Sequence, residues 1–469
     1  MCVAPTRSTT SYKKKHLCLA LVYLLSQGGA YFIVRKPLEN TEGEKKVTSK
    51  PLQEIEFDQT QVEAVDACVS LTHRIVAVTG QAGTGKTTIL RTVHNKMVEA
   101  GLSVILCAPT GKAAKRIKEA TGIDAVTIHR LLEYPHPGDL DPKTGKALIS
   151  TEPRRDRRNP IEHKVVLADE YAMVNTEVHR NLVDALPPGG LIRMFGDANQ
   201  LQPIESSKYL QEQPSPFQTM LAKFSGHWLK TIHRQADGSN IIMNGARILS
   251  GQIPKRTDDC ILTVTDNPVH KIQDLVMEGL DNGTNFTSLA NQIIAPTNKG
   301  WVGTVALNSM IQSLVMPDDT VHMDLERHTW SELDFLRVSI GDKVIQTKNN
   351  YSLGVFNGET GVLKDIDASG QLVVDFGDKT ITIPPIMEVE GRRGHYFINP
   401  QKDVDLAYVI TTHKTQGSEY DSIVYVMNSS RPFTLGRKNF YTGYMRAKKT
   451  VCVVTDQKAL SMSLNRIGK

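Results

Sequence analysis

A glycine-rich loop between an apolar run and an amphipathic segment constrains the fold of this chain more than any other feature. The loop reads GQAGTGKT and spans residues 80–87. Residues 75–78 before it are all apolar, as in a buried strand, and the residues after it place apolar side chains on one helical face. Glycines let successive backbone N–H groups turn inward around a phosphate chain. The sequence therefore predicts a P-loop within a parallel α/β fold.

This loop supplies most of the residues predicted to bind a nucleoside triphosphate. We expect Lys86 to reach the β- and γ-phosphates and the Thr87 hydroxyl to ligate Mg²⁺. The predicted nucleotide-binding residues of this segment are Gly80, Gly83, Gly85, Lys86, Thr87 and Thr88. ATP and Mg²⁺ are the predicted cofactors.

An acidic pair downstream completes the predicted site. The apolar run 165–168 leads into Asp169 and Glu170, the arrangement expected where a buried strand ends. Asp169 can hold Mg²⁺ through water, and Glu170 can orient or deprotonate the attacking water. The mainly apolar runs 103–108 and 191–195 also lead into polar segments. Because ligands of open α/β sheets bind at the carboxyl ends of strands, these segments are predicted to border the phosphate site.

Two glutamines are further candidates for contact with the nucleotide. Gln200 follows the second of those apolar runs and is a plausible sensor of the γ-phosphate. Gln61 starts a predicted helix, and its amide can read an adenine edge through one donor and one acceptor. Either residue alone would more often face solvent, so both predictions depend on the neighbouring motifs.

Composition indicates a globular chain of several domains and leaves the partners open. The chain has 469 residues, of which 40% are hydrophobic and 22% charged, which excludes collagenous, mainly disordered and polytopic membrane classes. Of its net charge of +5, residues 1–50 contribute +6, so a nucleic-acid site in the main body has to be local. The six cysteines are scattered without a C-x-x-C pair, which argues against a zinc site and fits a reducing cytosol.

The N-terminal segment allows two interpretations. Three lysines at 13–15 followed by the apolar run 17–25 imitate a secretory signal. The same residues can form a helix at 16–25, a Gly-Gly turn and a strand at 31–34. The apolar run is too short to span a bilayer, and the downstream ATP motifs favour a cytosolic chain. We therefore predict that residues 1–50 are a basic accessory segment and linker.

The ordered motifs resemble those of superfamily 1 helicases of the RecD/Dda type. The resemblance covers residues 57–454 and all motifs occur in family order, which is far more specific than any single motif. The motifs are GQAGTGKT, APTGKAAKR, TIHRLL, LADEYAM, GDANQL, HRQADGSNII, IIAPTNKG, YVITTHKTQGSEYD and YTGYMRAKK.

The resemblance implies an α/β fold of two RecA-like P-loop lobes, with ATP between them and single-stranded DNA across their top. The implied first lobe is 51–235, with a β-hairpin (pin) insertion at 133–162. The implied second lobe comprises 236–334 and 404–469, with an SH3-like β-barrel insertion at 335–403.

The residues of both insertions fit β structure. Segment 133–162 is rich in turn residues, with a predicted hairpin tip near 141–145. Segment 335–403 alternates short apolar stretches with Asn-Gly and Gly-Asp turns, as small barrels do. An arginine cluster in the first insertion would engage the duplex backbone, unless the segment is a solvated charged loop. The cluster consists of Arg154, Arg155, Arg157 and Arg158.

The resemblance also implies roles for single residues. Gln61 would contact adenine, Gln200 would couple hydrolysis to movement, and Glu419 would contact the nucleotide from the second lobe. Arg234 and Arg446 would be arginine fingers, whose planar cations neutralise charge on the transferring phosphoryl group. Hydroxyls, backbone amides and single lysines grip phosphates without reading bases. The implied DNA contacts are Pro109, Thr110, Thr127, His129, Thr297, Asn298, Thr412, His413 and Lys414.

We therefore expect an ATP-driven 5′→3′ DNA helicase of replication, recombination or repair, with a polarity that only the resemblance implies. One alternative is a single-strand translocase that displaces proteins with little unwinding, and another is a small-molecule P-loop kinase, which has no use for a second lobe. The expected partners are single-stranded DNA and forked DNA, with a single-strand-binding or replication protein as a further candidate. We expect a monomer without membrane association, in the cytoplasm of a bacterium or a phage-infected cell.

Overall fold

A computed structural model describes most of the chain after residue 56. The described residues are 57–134, 152–224, 226–231, 240–317, 319–328, 333–350, 352–391 and 394–467. The predicted N-terminal segment, the predicted hairpin tip at 141–145 and Arg234 lie outside them. No helix within the described residues is long and apolar enough to cross a membrane.

The first lobe is built on a sheet of six parallel strands. They are β1 (Ile75–Thr79), β2 (Val104–Ala108), β3 (Ala125–Thr127), β4 (Val165–Ala168), β5 (Leu191–Gly196) and β6 (Gly226–Trp228). Their order across the sheet is β3-β2-β4-β5-β1-β6. This order makes β4, β5 and β1 neighbours, so the segments that follow these three strands meet at one edge of the sheet.

Helices pack against both faces of this sheet. They are α1 (Gln59–Val69), α2 (Lys86–Glu99), α3 (Gly111–Thr121), α4 (Ile128–Leu131), α5 (Thr176–Asp184), α6 (Lys208–Glu212) and α7 (Pro216–Lys223). One apolar core contains residues of α1, α2 and α3, and a second contains residues of α4, α5 and α7. Helix α2 buries its one apolar face, as its 3.6-residue period predicts, and this fixes the P-loop between β1 and α2.

The second lobe begins after residue 239 and is interrupted by a β-rich insertion. Its first elements are α8 (Asn240–Leu249), β7 (Cys260–Val264), α9 (Pro268–Asp281), β8 (Asn291–Ala295) and α10 (Thr304–Val315). The insertion contains β9 (His322–His328), β10 (Leu333–Ser339), β11 (Lys343–Gln346), β12 (Thr360–Ile366), β13 (Leu372–Asp375), β14 (Thr380–Ile383), β15 (Met387–Gly391), β16 (Gly394–Ile398) and β17 (Val404–Leu406).

The insertion forms an antiparallel sheet and two separate hairpins. Strands β14-β13-β12-β11-β17 make the five-stranded sheet, while β9 pairs with β10 and β15 with β16. The predicted boundary at residue 403 falls just before β17. Because β17 pairs with β11, the last strand of the sheet immediately precedes the return to the second lobe.

The second lobe closes with β18 (Val409–Thr411), β19 (Tyr420–Met427), α11 (Arg437–Tyr444), β20 (Ala447–Thr455) and α12 (Gln457–Asn465). Its sheet has the order β18-β8-β19-β20-β7, and every ladder is parallel. The predicted fold class, two parallel α/β lobes with a β insertion in the second, is confirmed.

The β insertion also contacts the first lobe. Lys115 of α3 forms an ion pair with Asp378, with an N–O distance of 2.5 Å. The Phe356 ring lies on Gly111 at the start of α3, so closely that a Cβ there would come within 2.5 Å of Phe356 Cγ. The insertion therefore touches the helix that carries the predicted APTGKAAKR motif.

Candidate active site

The P-loop positions its lysine at the mouth of a cleft between the lobes. Gly85 caps α2 with a φ of 82°, a left-handed conformation that favours glycine. Lys86 Nζ donates to the carbonyls of Gly80 at 2.7 Å and Gln81 at 2.9 Å. The loop carbonyls thus hold the ammonium group where phosphate oxygens can replace them.

The acidic pair follows β4, as predicted. The Asp169 amide donates to the carbonyl of Cys107 on the neighbouring strand, at 3.0 Å. Burial, followed by the charge of Glu170, raises the pKa of Asp169 to about 6. Glu170 has a φ of 51°, a strained conformation for a residue with a side chain. Such strain is characteristic of functional positions, and both residues line the cleft.

The cleft contains donors that suit a hard divalent cation. The Thr87 hydroxyl and the Asp169 carboxylate both line it, beside Lys86. Mg²⁺ binds one or two protein oxygens and keeps its remaining positions for water and phosphate. The two side chains predicted to hold Mg²⁺ therefore share one cavity of about 500 Å³.

Gln200 brings an unpaired polar atom to the same cleft. It is 6% exposed and lines the cavity. Its Oε1 is buried and has no hydrogen-bond partner among the described residues. Because unpaired buried acceptors cost about 1–3 kcal/mol, the atom is poised for a ligand or water in the nucleotide site.

The second lobe contributes Arg446 to the cleft. This arginine follows α11 and is 3% exposed. Its Nε donates to the Thr442 carbonyl at 2.9 Å, and its Nη1 donates to the Ser418 carbonyl at 3.2 Å. These bonds hold the guanidinium in a fixed orientation while it lines the cleft with Lys86 and Gln200. The arginine-finger role of Arg446 stays a prediction.

An ion pair between the lobes was missed by sequence reasoning. Arg116 Nη2 on α3 lies 2.6 Å from Glu419 Oε1 of the second lobe, and both side chains line the cleft. The negative charges of Glu419, Glu170 and Asp169 favour the charged arginine, and its pKa is raised even though burial opposes this. Arg116 ends the APTGKAAKR motif, but nothing in that segment indicates a partner in the other lobe.

Gln61 lies behind the P-loop. Its Nε2 donates to the Thr84 carbonyl at 3.1 Å, and its Oε1 accepts the Asp58 amide at 3.1 Å as part of a capping box for α1. It is 3% exposed. In this structure Gln61 supports the loop, and its contact with adenine stays a prediction.

The predicted DNA contacts follow the carboxyl ends of parallel strands in both lobes. Pro109 and Thr110 follow β2, Thr127 ends β3 and His129 follows it, and the remaining residues follow β8 and β18. They therefore lie along the same edge of each sheet as the nucleotide-binding segments. The members in the second lobe are Thr297, Asn298, Thr412, His413 and Lys414.

Two of these side chains, Thr412 and Thr127, are buried, and a third, His129, is half-buried. Thr412 is fully buried, with its hydroxyl 3.5 Å from the Tyr425 hydroxyl. Thr127 is 6% exposed and accepts the Arg130 amide. Burial lowers the pKa of His129, whose ring centroid lies 4.9 Å from that of Tyr134. The Thr412 and Thr127 hydroxyls act as internal groups here, and the DNA roles of all three positions stay predictions.

Part of the arginine cluster next to the predicted pin is held by acidic residues. Arg155 lies 2.6 Å from Glu133 and 3.0 Å from Glu162, and Arg157 lies 2.8 Å from Asp184. These two arginines stabilise the base of the insertion, while residues 135–151 lie outside the described part of the chain.

Two parallel α/β lobes, a P-loop with its acidic pair and an arginine from the second lobe define a two-lobed P-loop nucleoside triphosphatase. Three domain families match the chain: an AAA domain over residues 56–260, the ATP-dependent RecD-like DNA helicase SH3 domain over 307–376 and a UvrD-like helicase C-terminal domain over 406–454. The chain is thus similar to the RecD-like superfamily 1 helicases, which confirms the resemblance read from its motifs.

Individual relatives agree with this family. The chain is 30% identical over 379 residues to the ATP-dependent RecD2 DNA helicase of Deinococcus radiodurans, covering 80% of this chain and 46% of that protein. It is 26% identical over 430 residues to the RecBCD enzyme subunit RecD of Mycobacterium tuberculosis, covering 85% and 69%. The chain thus spans about half the length of the RecD2 relative.

Solved structures show the same fold. A crystal structure of Pif1 helicase from Bacteroides, in complex with ADP-AlF3 and single-stranded DNA, superposes with a TM-score of 0.53 and 20% identity over 86% of this chain and 93% of that one. Pif1 helicase from Candida albicans superposes with a TM-score of 0.50 and 18% identity, over 85% and 94%.

Proposed function

We propose that this chain is an ATP-dependent DNA helicase that translocates 5′→3′ on single-stranded DNA and unwinds duplex DNA. The observation that carries the proposal is a single cleft shared by the two lobes. Lys86 and Glu170 line it from the first lobe, and Glu419 and Arg446 line it from the second. ATP hydrolysis would open and close this cleft. This would move the carboxyl edges of the two sheets, where the predicted DNA contacts lie, relative to each other.

The relatives and structural neighbours support this activity and its substrate. The RecD2 relative is named as an ATP-dependent DNA helicase, and the Bacteroides Pif1 structure contains single-stranded DNA. The 5′→3′ direction is proposed from the family that the chain resembles.

We assign the chemistry to residues that share the cleft. Thr87 and Asp169 would hold Mg²⁺, whose charge would offset that of the β- and γ-phosphates. Glu170 would orient the attacking water, and Gln200 would contact that water or the γ-phosphate through its free Oε1. Arg446 would stabilise the charge of the transition state from the second lobe.

Strand separation is assigned to the insertion at 133–162. Ion pairs of Arg155 with Glu133 and Glu162 fix the described ends of this segment, which would support the predicted hairpin. Deletion of 139–145 is expected to leave DNA-stimulated ATP turnover intact and to reduce unwinding. Unchanged unwinding by this variant would refute the pin assignment.

The domain boundaries, partners and location follow from the same proposal. The first lobe would comprise 51–235 and the second lobe the parallel α/β elements within 236–334 and 404–469, acting as a monomer in the cytoplasm. Forked DNA would be the substrate, and a single-strand-binding or replication protein would be a candidate partner. The basic residues 1–50 would add a salt-sensitive contact, because neutralising phosphates releases counterions.

ATP turnover measured with and without single-stranded DNA tests the proposal. We expect strong stimulation by single-stranded DNA and loss of turnover in the Lys86→Ala variant, which should still bind DNA. Turnover that DNA does not stimulate would reject a DNA motor and favour a small-molecule kinase. Stimulated turnover without strand release would instead indicate a single-strand translocase.

A further inference from the structure

We propose that Trp301 and Phe433 form a base-stacking platform that extends the single-stranded DNA path over the second lobe. The inference rests on the proposed function and adds a binding site to it. Trp301 is 82% exposed and Phe433 is 78% exposed, among the most exposed large apolar side chains in the described residues. Stacking on DNA bases would remove this apolar surface from water.

The two aromatic residues lie on loops that follow neighbouring strands. Strands β8 and β19 are adjacent and parallel, with Ile294 paired to Tyr425 near their carboxyl ends. Trp301 lies on the loop after β8, and Phe433 lies on the loop after β19. The carboxyl edge of this sheet is where ligands of parallel α/β folds bind.

The loops contact each other and share a small cavity. Arg431 packs on Gly300, whose added Cβ would lie 3.1 Å from Arg431 Nε. A small cavity of about 10 Å³ lies between the loops, so they pack closely on each other. Its lining is Pro296, Thr297, Lys299, Val302, Asn428, Ser430, Arg431 and Thr434.

The charge of these loops matches a nucleic acid. Residues 296–302 and 428–434 contain Lys299 and Arg431 and no acidic residue. Both cations are exposed. Exposed aromatic rings next to cations and hydroxyls are the combination by which proteins bind single strands, since bases stack on the rings and phosphates pair with the cations.

The platform is continuous with the predicted DNA contacts of the second lobe. Thr297 and Asn298 lie on the same loop as Trp301. Their loop is fixed to the start of α10, because the Thr304 hydroxyl donates to Asn298 Oδ1 at 2.8 Å and the Thr304 amide donates to the Thr297 carbonyl at 3.0 Å. Trp301 therefore has a defined position beside those contacts.

The loop of Phe433 is held equally firmly. The Ser429 amide donates to Asp456 Oδ2 at 2.7 Å, and Arg466 donates to the carbonyls of Pro432 and Leu435. A loop whose backbone is held in place loses little conformational entropy when its ring stacks, which favours binding. These anchors support a preformed platform.

Fluorescence anisotropy with two probes tests the platform. One probe is a labelled oligothymidylate, and the other is an abasic sugar-phosphate oligonucleotide of the same length. We expect Trp301→Ala and Phe433→Ala each to weaken oligothymidylate binding by about 5- to 150-fold, the range for loss of one stacked base. Binding of the abasic probe should stay unchanged, because it has no base to stack.

Tyr209→Ala is the matched control, since Tyr209 is 71% exposed on α6 in the first lobe, outside the proposed platform. Quenching of intrinsic fluorescence by oligothymidylate should also diminish in Trp301→Phe, which removes one of three tryptophans. If both alanine variants bind oligothymidylate like the Tyr209 control, the platform is rejected while the helicase proposal stands. If the unaltered protein binds neither probe, both proposals fail.

Discussion

The Tyr441 hydroxyl donates a hydrogen bond to Asp197 Oδ2 at 2.8 Å, across the boundary between the two lobes. Both residues are buried, and Asp197 belongs to the GDANQL segment whose Gln200 lines the nucleotide cleft. Nearby, the Leu201 amide donates to the Thr442 hydroxyl at 2.8 Å. Helix α11, which precedes Arg446, is thus bonded directly to the segment that carries Gln200.

We expect Tyr441→Phe, which removes this contact, to weaken the coupling between the two lobes. The change removes one donor from a buried carboxylate, which we expect to cost about 1–3 kcal/mol of unfolding free energy. Stimulation of ATP turnover by DNA should fall further than turnover without DNA. Tyr420→Phe is the matched control, because the buried Tyr420 hydroxyl has no partner among the described residues. Equal DNA stimulation of ATP turnover in the two variants would contradict a coupling role for Tyr441.

Arg446→Ala should lower turnover far more than nucleotide affinity. An arginine finger acts on charge that develops in the transition state, and its removal is expected to reduce kcat by on the order of 10³-fold. Single-turnover kinetics and equilibrium nucleotide binding separate the two effects. Arg446→Lys should recover little activity, since a lysine cannot reproduce the planar, fixed guanidinium. A variant that turned over ATP normally would show that the second lobe does not complete the site.

Arg116→Ala should weaken ATP binding several-fold. The change removes a cation that lies in the cleft with Glu419 and near Glu170 and Asp169. Lys115→Ala is a matched control on the same helix, because it also breaks an ion pair but faces Asp378 of the β insertion. Nucleotide titrations of both variants check the prediction. An equal loss of affinity in both would show that the cleft position of Arg116 is unimportant.

The buried Lys343 is expected to make the unfolding free energy of the protein depend on pH. Its Nζ donates to the carbonyls of Ser288 at 3.0 Å and Asn291 at 2.6 Å, which suits a neutral amine with two hydrogens. Burial, with a smaller contribution from the charge of Lys112, lowers the pKa of Lys343 from 10.5 to about 7. Between these pH values the unfolded chain binds one more proton than the folded chain, so this residue makes stability rise with pH.

The Lys343→Met variant isolates this effect. The difference in unfolding free energy between the unaltered protein and the variant should grow by up to ~1.4 kcal/mol per pH unit between about pH 7 and 10. Denaturant unfolding at several pH values measures it, and the difference cancels contributions from other titrating groups. A difference that does not change with pH would show that Lys343 is charged when buried.

The parts of the site that lie in contiguous motifs were predictable. A strand, a glycine-rich loop and a helix in sequence place Lys86 and Thr87 without any long-range information, and Asp169 and Glu170 follow from a second apolar run. The parallel sheets then bring these segments together, because their strands end at one edge.

Contacts between distant segments could not be predicted in the same way. Asp197 and Tyr441 lie 244 positions apart, and neither local segment indicates the other. Lys343 is fully buried, although lysines are almost never found so, and only its two carbonyl partners explain it. The inaccessibility of Thr412 likewise depends on packing against Tyr425, which no motif spacing reveals.

Unwinding of forked duplexes that carry either a 5′ or a 3′ single-stranded tail tests the central claim most directly. We expect ATP-dependent strand release from the 5′-tailed fork, little release from the 3′-tailed fork, and none with Lys86→Ala. Preferred release from the 3′-tailed fork would contradict the proposed direction. Absence of release from both forks, despite ATP turnover stimulated by single-stranded DNA, would contradict the helicase assignment itself.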